Sequence, residues 1–287
     1  MLVIAGSVIV LVCVLGGYIA AGGHIDVLIQ PLEVVIIAGA ALGAFIIANS
    51  KTVLKAAFKA VMGLLKAPKH NKETFLELLT LLYAVFKLAQ VKGMLALEQH
   101  VENPKESELF KQFPKFSGDE HAVTFMCDYL RLITLGSDKA HEMEALMDEE
   151  IETHHKDQLE ISEAINKVAE GLPALGIVAA VLGVIKTMGS IDQPPEVLGH
   201  LIGAALVGTF LGVLLSYGFV GPMAQALKGR ANTDSKYFVC MKAGLLAYMQ
   251  GYAPAVAVEF ARKTLFAHER PSFYEVEEAV QALPAAG

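Results

Sequence analysis

Glu150 and His154 stand four residues apart with His155 directly after, a spacing that brings two metal ligands onto one helical face. The zinc-protease pattern HExxH is absent, and the flanking Asp148, Glu149 and Glu152 read as a solvated helix surface, so no metal site is expected. No phosphate-cradling P-loop, no GxGxxG fingerprint and no GxSxG elbow occurs. The chain therefore has no recognisable means of using ATP, and neither an enzyme activity nor a cofactor is expected. The remaining polar groups of interest lie inside long apolar runs: Thr209 and Tyr217, with Lys186 and His200 near the run ends. A hydroxyl in such a place bonds back to a carbonyl one turn earlier, Ala205 for Thr209, or offers an oxygen to a passing ion. No Asp or Glu is expected within the spans, although a chain that moved ions alone would place an ionisable group near midplane. If this chain conducts ions, another subunit must supply the carboxylate. Any work it does would draw on the membrane potential, about 2.3 kcal/mol per charge per 100 mV.

The elements that must position these groups follow from hydropathy. Residues 1–23 and 34–50 are uncharged, and apolar character returns over 171–188 and 197–227. Each run is long enough, or nearly so, for the roughly 17–25 residues that cross a bilayer as a helix. The first run has no basic segment before it and reads as a retained span rather than a cleaved signal. Hydrophobic residues are 54% of the 287 and charged ones 18%, below the usual quarter for soluble domains. A net charge of -7 argues against nucleic acid as a partner. Cys13, Cys127 and Cys240 form no disulfide set or ligand spacing, which fits a reducing compartment. The short loops 22–31 and 189–199 hold no Lys or Arg, whereas Lys51, Lys55, Lys59, Lys66, Lys69 and Lys72 follow the second run and Lys228 and Arg230 the fourth. The positive-inside bias then puts the central loop and both termini in the cytoplasm.

The expected fold is all-α: a polytopic membrane protein with four transmembrane helices and a helical cytoplasmic domain. Spans one and two fill residues 1–50, a cytoplasmic helical domain 51–170, spans three and four 171–227, and a cytoplasmic helical tail 228–287. Residues 74–91 imitate a fifth span, but Glu77 and Lys87 interrupt them. A charge near midplane costs about 2.5–3.5 kcal/mol on insertion scales, so a buried cytoplasmic helix is expected, with Asn71 as its N-cap. Asn103-Pro104 and Phe113-Pro114 break the chain, and residues 116–119 read as a loop. A long acidic helix is expected from Asp138 to about Ala169, with Met143, Leu146, Met147 and Ile151 on one face, then a kink or restart at Pro173. The fourth run carries small residues at Ala204, Gly208, Gly212 and Ser216, and the third at Gly176, Ala179, Ala180 and Gly183. Such faces let helix backbones approach, within one chain or between subunits.

The fourth run also contains Ala205-Leu-Val-Gly-Thr209-Phe-Leu-Gly212-Val-Leu and, seven residues on, Pro222. This signature resembles the MotA family of flagellar stators. Gly93-Met94, Leu97-Glu98, the segment 102–107, the acidic run 144–154, Leu172-Pro173 through Ala180, and segments 251–265 and 269–273 resemble the same family. The resemblance implies a homopentameric ring around paired MotB chains in the bacterial inner membrane, each MotB helix bringing the missing aspartate. It implies Ala180, Thr209 and Tyr217 near the ion path and Pro173 and Pro222 as points of conformational coupling. Gln90, Lys92, Glu98 and Glu150 would face the rotor protein FliG. The family's basic residue falls at Gln90, and Lys92 is its expected replacement. Sodium-driven relatives have threonine where this chain has Ala180, so the expected ion is H+, and Ala180→Thr alone is expected not to confer sodium dependence. A TolQ/ExbB-type energiser and a sodium-driven stator are the related alternatives. The usual three spans of the former contrast with four here. An independent solute transporter would need midplane charges or repeat symmetry, and neither is evident.

Overall fold

A computed structural model of the chain describes residues 2–137 and 139–283. In chain order its α-helices are α1 (Leu2–Ala20), α2 (Ile25–Leu28), α3 (Pro31–Ala48), α4 (Lys51–Gly63), α5 (Lys72–Lys92), α6 (Glu98–Glu102), α7 (Glu108–Lys111), α8 (Pro114–Ser117), α9 (Glu120–Thr134), α10 (Ala140–Met188), α11 (Pro195–Leu215), α12 (Gly221–Met249), α13 (Pro254–Lys263) and α14 (Phe273–Gln281). A 3-10 turn (Met94–Leu97) precedes α6 and a π-helical turn (Ser216–Val220) joins α11 to α12. No strand occurs among the described residues. By length and composition five helices could cross a membrane: Leu2–Ala20, Ile25–Ala48, Lys72–Lys92, Ala140–Met188 and Pro195–Met249.

The chain forms two compact units, residues 1–67 with 157–230, and residues 68–156 with 231–287. In the first, α1 has no buried residue, whereas Ile37 and Ala41 of α3 pack with Leu172 and Ala179 of α10. A second cluster joins Ala57 and Leu64 to Ile165, Ala224 and Leu227. Prolines open α3 and α11, where a missing N–H costs nothing. The Arg230 guanidinium donates to the carbonyls of Gly63, Leu64 and Lys66 at 2.8, 3.3 and 2.7 Å. Those carbonyls lie at and just beyond the end of α4, where a cation is also favoured by the helix dipole.

The second unit is built on α5. Phe75, Leu78, Leu79, Leu81, Leu82, Val85 and Phe86 are fully buried among residues of α9, α10, α12 and α13. Of the most apolar stretch of α5, 56% is buried, against 0–22% for the other apolar helices. Asn71 caps it, accepting from the Glu73 and Thr74 N–H groups, and Thr74 Oγ1 accepts the Asn71 N–H in return. Glu77 is put to use rather than exposed to lipid, since its carboxylate accepts the Phe116 N–H at 2.9 Å. The expected loop at 116–119 is partly helical: Pro114 starts the turn α8, and only then does Asp119 cap α9. The expected acidic helix begins on Asp138, outside the described residues; α10 itself runs from Ala140 to Met188 with Pro173 inside it. Met143, Met147 and Ile151 are buried, but Leu146 is 52% exposed, because the packed stripe is only one residue wide.

Candidate functional site

The residues singled out in the sequence fall into two groups, one in each unit. In the first unit the small faces of α10 and α11 meet backbone to backbone. A side chain at Gly176 would begin 2.8 Å from the Gly208 carbonyl oxygen and 3.1 Å from Gly212 Cα. One at Gly212 would begin 2.6 Å from the Leu172 carbonyl oxygen, and one at Gly183 2.6 Å from Ala205 Cβ. The seam therefore uses Ala205, not the expected Ala204, opposite Gly183. It accounts for the small-residue pattern by packing inside the chain.

Ala180 and Thr209 lie at the Gly208 level of this seam, both half-buried, and Ala180 N is 3.1 Å from where a Gly208 side chain would begin. Tyr217 is 74% exposed on the π-turn, which Gly221 separates from Pro222. Glu33, just outside the uncharged run 34–50, adds a carboxylate beside this seam. Because α3 starts at Pro31 rather than Val34, Glu33 sits in its first turn. Its Oε2 is shielded from solvent without a hydrogen-bond partner and lies 3.0 Å from the position of a Gly208 side chain. The signal was present in the sequence: Gln30-Pro31 is a helix start, and it places the acid at the third helical position.

In the second unit, Gln90 and Lys92 end α5 and Glu98 opens α6, separated by Gly93 at φ +83 and the 3-10 turn. All three side chains are exposed. Gln90 lines an open cavity of 510 Å³ with Met94, Tyr248 and Tyr252. Glu98 lines a neighbouring one of 360 Å³ with Leu95, Gln99 and Glu102. Glu150 differs in kind. It is half-buried on α10, and its Oε2 accepts the Tyr129 hydroxyl at 2.7 Å. Burial first, and then this carboxylate, push the Tyr129 phenol up, so it stays a donor. His154 lies tilted against His121 with centroids 4.2 Å apart and meets Phe238 edge-on, an aromatic packing arrangement. Among the described residues no group of three His, Cys, Asp or Glu could hold a metal ion.

Residues 4–93 match the family described as motility protein A N-terminal, and residues 120–239 match the MotA/TolQ/ExbB proton channel family. The chain is 46% identical to motility protein A of Salmonella typhimurium over 283 residues, 99% of this chain and 96% of that one. It is 47% identical, over the same shares, to motility protein A of Escherichia coli. Among solved structures it resembles the flagellar MotAB stator complex of Bacillus subtilis, with a TM-score of 0.76, 25% identity and 94% and 98% of the two chains covered. The C. jejuni MotAB structure shares the fold at a TM-score of 0.79 and 22% identity, covering 94% of this chain and 98% of that one. With 46–47% identity to these relatives over 99% of its length and both family models matched, this chain belongs to the motility protein A family of the MotA/TolQ/ExbB proton channels.

Proposed function

We propose that the chain is the ring-forming stator subunit of a flagellar motor, coupling ion flow across the inner membrane to torque on the rotor. The observation that carries this is identity of 46–47% to motility protein A over 99% of the chain. The physics agrees: by length and composition several helices could cross a membrane, where the potential is worth about 2.3 kcal/mol per charge per 100 mV. In this reading α1, α3, the apolar end of α10 and α11 are the four spans, and α5 remains in the cytoplasm as the buried core of its unit. Several copies assemble, as a pentamer, around MotB-type chains that bring the transported ion's aspartate. Ala180, Thr209 and Tyr217 lie near that path, and Pro173 and Pro222 are the points at which the spans bend.

The rotor contact in this reading is the turn from Gln90 to Glu98, offered to FliG. Lys92 supplies the cation and Glu98 the anion, both free to meet a partner's charges. Glu150 contributes through Tyr129 and α9 rather than as a free surface charge. The ion is H+: Ala180 offers no oxygen, and a proton needs only a carboxylate and a water chain.

The test is to delete the gene, restore it, and record tethered-cell rotation in sodium-free medium with and without a protonophore. Rotation that persists without sodium and stops with the protonophore supports a proton-driven stator. Rotation that returns only with added sodium keeps the stator and overturns the ion. Rotation that never depended on the gene removes the motor reading altogether.

A further inference from the structure

Pro173 lies inside α10 and has no N–H, so the carbonyl of Ala169, four residues earlier, loses its helical partner. Ala169 is 4% exposed, so its carbonyl has little water to turn to and needs another donor. Here the donor is identified: the Ser216 hydroxyl donates to Ala169 O at 2.6 Å, a bond across 47 residues of sequence. Ser216 is 2% exposed, so solvent does not compete. A helical serine usually bonds back to its own preceding turn, which for Ser216 would be Gly212. This hydroxyl instead reaches the neighbouring helix.

The donor's own position is as unusual as the acceptor's. Ser216 is the first residue of the π-turn that ends at Val220, and its carbonyl accepts the Gly221 N–H across that wider turn. Pro222 follows, and it in turn leaves the Gly218 carbonyl without an i+4 donor. One proline thus frees the acceptor on α10, while the donor sits at the mouth of the irregular turn beside the other. The approach is held close by neighbouring backbone, since a side chain at Gly221 would begin 3.1 Å from Ser216 O and 3.9 Å from Ala169 Cβ. π-turns of this kind recur where helices must change shape.

We infer that Ser216 is a positioning residue of the transport cycle: its hydroxyl latches the π-turn before Pro222 onto the carbonyl freed by Pro173, so that the two proline sites bend as one joint. The inference rests on the stator reading for its function but not for its geometry. If spans three and four shift during the cycle, the latch ties their irregular points through a side-chain bond, and its strength sets how the two bends are coupled.

A double-mutant cycle in the full-length protein, purified with its MotB-type partner, tests this by hydrogen–deuterium exchange. Ser216→Ala is expected to speed exchange about fivefold in peptides covering 165–176 and 212–222, the factor expected for one lost hydrogen bond. Ser216→Thr, which keeps the hydroxyl, should restore the slower rate. Pro173→Ala returns an N–H to the Ala169 carbonyl, so in that background Ser216→Ala should add nothing further. Equal acceleration with and without Pro173, or no acceleration at all, would overturn the latch.

The functional arm compares stall torque of tethered cells at matched membrane levels. Ser216→Ala should lower torque about twofold or more, with rescue by Ser216→Thr. Unchanged torque beside altered exchange would reduce the bond to packing and overturn the positioning role. Loss of the stator reading itself would appear differently, as a wild-type gene that fails to restore rotation.

Discussion

At Gly212 a methyl group would stand 2.6 Å from the Leu172 carbonyl oxygen and 2.8 Å from Gly176 Cα, both backbone atoms that cannot swing aside. Gly212→Ala should therefore push α10 and α11 apart at a cost of about 1–3 kcal/mol, the range for overpacking a close contact. A thermal melt of the detergent-solubilised protein should show a clear fall. Gly229→Ala, on a helix with nothing within 4 Å of the added methyl, should show none or a slight gain. Charge makes a different kind of residue-scale argument. Exposed Glu98 pairs with no cation in the described structure, whereas Glu150 is held by Tyr129 at 2.7 Å. Glu98→Lys should thus reduce stall torque without changing the amount of protein in the membrane, and Lys92→Glu should do the same if Lys92 replaces the family's cation at Gln90. Torque at the wild-type level in Lys92→Glu cells would leave Lys92 as a solvated surface charge.

Between elements, a buried polar tie is made by His70, which joins the entry of α5 to α9 and α12. Its Nδ1 lies 2.7 Å from Asp234 Oδ1 and its Nε2 3.2 Å from Asp119 Oδ2, while the ring stacks on Tyr237 at 4.0 Å. Asp119 also takes Lys69 at 2.7 Å and caps α9 through the Ala122 N–H. A neutral imidazole can donate from only one nitrogen, so two carboxylates favour the cation. Burial pulls the His70 pKa down, but the bonds to Asp119 and then Asp234 outweigh it and hold it above the ordinary value. The group's stabilisation is complete below the unfolded value of about 6.5 and is lost as pH rises through the folded one. The melting temperature should decline across that window, and His70→Phe, which keeps the stack, should cost most at low pH and little above it. A pH-independent cost would show that His70 is neutral and merely packed. Such ties mark the limit of what the sequence reveals. Asn71 as a cap, the Met143–Met147–Ile151 stripe and the breaks at Pro104 and Pro114 are local signals, decided by spacing within a turn or two. His70 with Asp234, or Ser216 with Ala169, joins residues 164 and 47 apart, and nothing in local pattern pairs them. Glu33 was legible in principle, since Pro31 announces the helix, but counting uncharged residues set the run at Val34, inside the helix that Pro31 opens.

For the molecule as a whole, the number of bilayer crossings carries the mechanical consequence. Composition alone admits α5, and burial argues against it: lipid cannot solvate a helix whose apolar face is already covered by α9, α12 and α13. Glu77 holding the Phe116 N–H at 2.9 Å points the same way, because that bond requires the first half of α5 and a residue beyond its end to share a compartment. The absence of Lys and Arg from residues 189–194, set against Lys51, Lys55 and Lys59 on α4, fixes the expected direction. With Cys13, Cys127 and Cys240 replaced by alanine, single cysteines at Lys66, Lys105 and Asp192 separate the possibilities. A membrane-impermeant maleimide should reach Asp192→Cys from the periplasmic side, and both Lys66→Cys and Lys105→Cys only in inverted vesicles. Labelling of Lys66→Cys and Lys105→Cys from opposite sides would make α5 a fifth span and carry the Glu98 turn away from the rotor. Shared labelling from the cytoplasm keeps that turn where a motor could push on it.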